Sequence, residues 1–129
     1  MNDDGAGALT AALADTDSTV RVAALSAAGR VSSIGDPAFE TAVVRLAADS
    51  DAVVRKHAVM LLDGMRAIDA VAALIPVSNA DADEDVRIAA CHALGTFGDS
   101  SAQATLQFIA QNDASSLVRD MATIALRRV

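Results

Sequence analysis

One pattern recurs four times along this chain. An Asp stands six residues before an Arg, a Val immediately before that Arg, and an Ala three residues after it. The copies are Asp15/Val20/Arg21/Ala24, Asp49/Val54/Arg55/Ala58, Asp81/Val86/Arg87/Ala90 and Asp113/Val118/Arg119/Ala122. Successive arginines lie 34, 32 and 32 residues apart. A fixed period of this size marks a solenoid, in which each unit buries its apolar face only against its neighbours. The third copy, Asp81 to Gly95, shows the grammar most fully: an acidic turn, a Val-Arg pair, then an Ala/Leu-rich helix that Gly95 is expected to close.

Composition agrees with stacked helices. Hydrophobic residues make up 53% of the 129 residues and aromatics only 2%, with no Trp or Tyr. Alanine, the strongest helix former and small enough for helices to approach closely, dominates the apolar set. No β-branched run alternates with period two, so nothing suggests a sheet.

Net charge is −7, from 15 Asp and 2 Glu against nine Arg and Lys56. So acidic a surface repels phosphate backbones, which argues against nucleic acid as a partner. Abundant Asp with one Lys fits a cytoplasm of molar salt, where screening removes self-repulsion. A high-GC codon bias yields the same pattern, and the two readings stand side by side. Cys91 is the single cysteine, so no disulfide framework exists. The start, Met-Asn-Asp-Asp-Gly, lacks a signal-peptide pattern. No apolar run nears the roughly 18–20 residues that span a bilayer. The expected location is the cytoplasm, away from membranes.

In order, residues 1–5 read as a frayed acidic leader. Helices are expected at about 6–14, 18–30, 37–48, 52–64, 68–78, 86–95 (after an acidic turn over Asn79 to Asp85), 100–111 and 115–129. The turn Asp15-Thr-Asp17-Ser caps the second helix, since a short oxygen-bearing side chain can accept from free backbone N–H groups, and the turn Asp49-Ser-Asp51 leads to the fourth. Pro37 suits a helix start. Pro76 should kink the fifth helix or end it early. The loop Val31 to Pro37 links the first two units, and Thr96 to Asp99 repeats its form.

Counted from each Arg, the positions one before and three, four and seven after form a stripe at helical spacing. It reads Val20/Ala24/Leu25/Ala28, Val54/Ala58/Val59/Leu62, Val86/Ala90/Cys91/Leu94 and Val118/Ala122/Thr123/Leu126, all apolar or small. This is the expected buried face. A second stripe, one, five and eight after the Arg, is mixed, and it supplies the candidate partner-binding residues Val22, Lys56, Met60, Ile88, His92 and Ile124. Met and flanking apolar side chains suit capture of a partner helix or peptide.

Two helices per unit, the Asp-x-Asp turns and the Val-Arg opening of each second helix resemble the HEAT repeat. The short period and the passage from Ala93 to Asp99 are similar to the compact prokaryotic HEAT-like repeats named for bilin lyases. The resemblance covers the whole chain as one domain of four repeats, about 5–32, 33–65, 66–97 and 98–129. Tetratricopeptide and ankyrin signatures are missing. The resemblance implies an all-α, right-handed α-α superhelix of eight helices, with the second helices on its concave side. It also implies a ladder in which Asp15, Arg21, Asp49, Arg55, Asp81, Arg87, Asp113 and Arg119 hydrogen-bond between units, and repeated charge-assisted bonds would fix the stacking register. The fourth turn, Asp113 to Ser116, lacks the second Asp.

Catalytic and metal chemistry find no constellation. Cys91 and His92 are consecutive on a helix and point about 100° apart, so they cannot easily share one ion. Asp81-x-Asp83-x-Asp85 lacks the Gly and Glu of a calcium loop, having Val86 and His92 there. No His precedes Glu40 or Glu84, so the paired His-Glu of iron-holding HEAT-like hydroxylases is absent. A glycosylase-like nucleic-acid site would need a basic, aromatic concave face. No Ser is evidently poised beside His and carboxylate.

The expectation is a non-catalytic protein–protein interaction module, an adaptor or scaffold subunit with no cofactor, binding another protein on its concave face. From a different class, the bilin-lyase likeness implies an enzyme-associated small-molecule chaperone, which the scarcity of aromatics counts against. Met121 and Ala125, on the side expected to meet a fifth repeat, add self-association through the terminal repeat.

Overall fold

The computed structural model describes residues 3–30 and 37–129. The loop expected at Val31 to Asp36 lies outside the described residues. The described chain forms eight α-helices: α1 (Asp3–Leu13), α2 (Ser18–Ala28), α3 (Pro37–Leu46), α4 (Ala52–Met65), α5 (Val71–Ala80), α6 (Glu84–Phe97), α7 (Gln103–Asn112) and α8 (Ser116–Leu126). Short 3₁₀ turns at Ile68–Ala70 and Ser100–Ala102 lead into α5 and α7. No strand occurs among the described residues. Among the described residues no helix is long and apolar enough to cross a membrane.

Consecutive helices pair as hairpins, α1 with α2, α3 with α4, α5 with α6 and α7 with α8. The second helices also pack side by side in the order α2, α4, α6, α8, whereas neighbouring first helices touch far less. The second helices thus form the more closely packed layer. The fold is an all-α solenoid.

Local chemistry sets the starts of the second helices. Asp17, Asp51, Asp83 and Ser115 sit in extended conformation just before α2, α4, α6 and α8. Their side chains accept from backbone N–H groups of the first turn, at Thr19, Val53 and Val54, Val86 and Val118 respectively. Ser115 thus takes the place of the missing second Asp, and its hydroxyl also donates to the Glu84 carboxylate of the preceding unit.

Several boundaries correct the expectations. α1 begins at Asp3, inside the segment expected to fray. α5 does not end early at Pro76 but runs on to Ala80. Pro76 is solvent-exposed, as is Ala72, whose carbonyl a non-proline residue at 76 would have bonded, so water can take the lost place. Gly95 does not close α6. It is buried in the helix interior, and Gly98, in the left-handed conformation at φ 67°, closes the helix instead.

The buried stripe holds in the two middle units, where Val54, Ala58, Val59, Leu62, Val86, Ala90, Cys91 and Leu94 are all fully buried. Each such Val or Leu contributes roughly 1.5–3 kcal/mol over its exposed state. In the end units Leu126 is only half-buried, and two residues depart from it further. Val20 is 36% exposed and Thr123 is exposed, although their counterparts are buried. Both belong to hairpins with a described neighbour on one side only. Thr123 satisfies its hydroxyl within α8, donating to the Arg119 carbonyl at 2.9 Å.

Candidate binding groove

The recurring Arg and Asp residues meet at the seams between units. Arg55 Nε and Nη2 donate to the two oxygens of Asp81 at 2.8 and 3.0 Å, and Arg87 does the same to Asp113 at 3.0 and 3.2 Å. Arg21 Nη2 donates to Asp49 Oδ2 at 3.1 Å, while its Nε, 3.0 Å from Oδ1, is not aligned for a bond. The other end of each guanidinium is tied within its own unit: Nη1 of Arg21, Arg55, Arg87 and Arg119 donates to the carbonyl of Asp15, Asp49, Asp81 and Asp113. Each of those carboxylates also accepts the backbone N–H two residues on. Paired Asp81 raises the pKa of the Arg55 guanidinium, against burial, which lowers it. Such bidentate pairs are directional as well as attractive.

With Asp81 bound to Arg55, Asp83 capping α6 and Asp85 on the helix surface, the acidic turn is spent on structure. Among the described residues no group of three or more His, Cys, Asp or Glu side chains is placed to hold a metal ion. Cys91 is fully buried, and that burial pushes its thiol pKa up to about 12. His92, about 100° round the helix from it, is exposed.

Across the layer of second helices α4, α6 and α8 enclose a groove of about 480 Å³ lined by Lys56, Met60, Asp63, Gly64, Asp85, Ile88, Ala89, His92 and Met121. Four of the six expected partner-binding residues are therefore neighbours: Lys56 and Met60 from α4, Ile88 and His92 from α6. Ile124, 45% exposed, lines an adjoining pit with His92, Gly95, Met121, Ala125 and Arg128. Val22 is half-buried and lines neither. His92 Nδ1 donates to Asp63 Oδ2 at 2.5 Å, bridging α6 to α4 at one edge of the groove. The other histidine, His57, donates from Nδ1 to the Val53 carbonyl in its own helix, at 2.9 Å.

Met121 and Ala125 do not face a fifth repeat. Met121 enters the groove, and Ala125 is buried with its Cα and Cβ 3.0 Å from where a Cβ on Gly95 would stand. Both look back toward α6. Asp63, Gly64, Asp85, Ala89 and Met121 are the groove residues outside the expected set. Asp63 already lay on the mixed stripe, eight after Arg55, which was the available signal.

A stack of helical hairpins with charged seams and a shallow groove across its second helices defines an α-helical repeat protein. The family model for HEAT repeats matches residues 39–127, and the chain belongs to that family. No curated protein matches the chain.

Proposed function

We propose that the chain is a non-catalytic interaction module, an adaptor or scaffold subunit that binds another protein along the groove of α4, α6 and α8. One observation carries this reading: the groove leaves apolar Met60 53% exposed beside half-buried Ile88, Ala89 and Met121, ringed by Lys56, Asp63, Asp85 and His92. An apolar floor with a polar rim is the pattern of protein interfaces. Flexible Met side chains adapt to the surface they meet. HEAT-repeat membership agrees with a binding role.

The test is affinity capture of a partner by the native chain and by a chain carrying Lys56→Glu and Met60→Asp. Loss of the captured protein, with the helical circular dichroism signal unchanged, supports the groove. Capture that survives both substitutions removes it.

The groove volume also falls within the range of small-molecule sites. It supports a second reading as an enzyme-associated small-molecule chaperone. A thermal-shift screen with pigment-like ligands separates the two: silence favours the protein partner, and a raised melting temperature favours the chaperone.

A further inference from the structure

We infer that the two ends of this stack are complementary, and that the chain associates head to tail with a second copy, Arg119 of one copy pairing with Asp15 of the next. The three internal seams show what such a junction requires. Arg21, Arg55 and Arg87 each fix Nη1 on a carbonyl of their own unit and offer the remaining guanidinium edge to the Asp of the following unit. Arg119 makes the first contact, Nη1 to the Asp113 carbonyl. No carboxylate among the described residues meets its other edge.

At the opposite end Asp15 holds the matching half. Its Oδ1 accepts the Asp17 N–H at 2.8 Å, as Asp49, Asp81 and Asp113 accept theirs, and its carbonyl takes Arg21. Unlike those three, its carboxylate meets no arginine among the described residues. Both halves are therefore held in the geometry of an internal rung before they meet, which lowers the ordering cost of pairing. Opposite charges at the two ends supply attraction that the chain's net charge of −7 otherwise opposes.

Three flanking positions suit such a junction. Thr123 stands where Leu25, Val59 and Cys91 are covered by the next unit, and with its hydroxyl bonded inside α8 it has no unmet donor to bury. On the α2 side, Ala23 and Ala27 occupy the positions at which α6 has Ala89 and Ala93, and small side chains allow close approach. A head-to-tail contact does not close on itself, so it extends the solenoid copy by copy.

Sedimentation velocity on the whole chain, from low micromolar to near-millimolar concentration, tests this. The expected result is a sedimentation coefficient that rises with concentration. Asp15→Asn, which keeps the acceptor for Asp17 N–H, and Arg119→Ala should each raise the concentration needed by about tenfold or more. Mixing the two variants should restore association as dimers that do not extend, because one supplies an intact Arg119 end and the other an intact Asp15 end. A native chain that stays monomeric throughout overturns the inference whatever the variants do. So does association that the substitutions leave unchanged, or a mixture of well-folded variants that fails to pair.

Discussion

Gly95 of α6 and Ala125 of α8 approach so closely that a Cβ on Gly95 would stand 3.0 Å from both the Cα and the Cβ of Ala125. The obstacle includes backbone, which cannot swing aside. Gly95→Ala is therefore expected to destabilise the chain by about 1–2 kcal/mol, despite alanine's better helix propensity. Gly64 in α4 has nothing within 4 Å of its added Cβ, so Gly64→Ala should be neutral or stabilising by up to about 1 kcal/mol. Urea titration of both variants checks the contrast.

Cys91 supplies a signature at alkaline pH. Burial pushes its thiol up to about 12 from an ordinary value of 9.0. Between those values the unfolded chain loses the proton and the folded chain keeps it, so stability should fall as pH rises from about 9 toward 12. Replacing Cys91 by Ala should flatten that part of the stability profile, measured by denaturant titration at several pH values. In the native chain below pH 9 the thiol should resist alkylating reagents until denaturant is added.

At the acid end Asp51 is informative. The backbone N–H groups of Val53 and Val54 hold its carboxyl below the ordinary 3.8. Its capping contribution is therefore fully present above that ordinary value and is lost as pH falls through the lowered folded value. Asp51→Asn keeps an acceptor oxygen but does not titrate. Its acid-unfolding curve should be shallower than that of the native chain, and an identical curve would remove Asp51 from the account of acid lability.

The repeat unit was legible in the sequence because its period aligns the four arginines, their Val neighbours and the turn Asp residues without any structure. The core of the middle units followed from helical spacing alone. What escaped depended on neighbours distant in the chain. Gly95 resembles a helix terminator locally, and only the approach of Ala125, thirty residues on, gives it a packing role. Val20 and Thr123 fit the buried stripe, but burial needs a unit on each side. Periodicity puts Met121 and Ala125 on one face of α8 but does not say which neighbour that face meets, and the structure turns it toward α6. In the groove, Lys56, Met60, Ile88 and His92 share equivalent positions on adjacent helices, so repeat alignment brought them together. The His92–Asp63 bridge needed the actual register of α6 on α4.

The seams carry both proposals, since the groove and the half-made rungs exist only if Arg–Asp pairing holds the units in register. A double-mutant cycle on Arg55 and Asp81, read by urea unfolding of the native chain, Arg55→Ala, Asp81→Ala and the double variant, tests that claim most directly. The pair is bidentate and its side chains are only 16% and 7% exposed. The expected coupling is about 1–2 kcal/mol, the double variant being less destabilised than the sum of the singles. Single effects that add to within about 0.3 kcal/mol would contradict the claim.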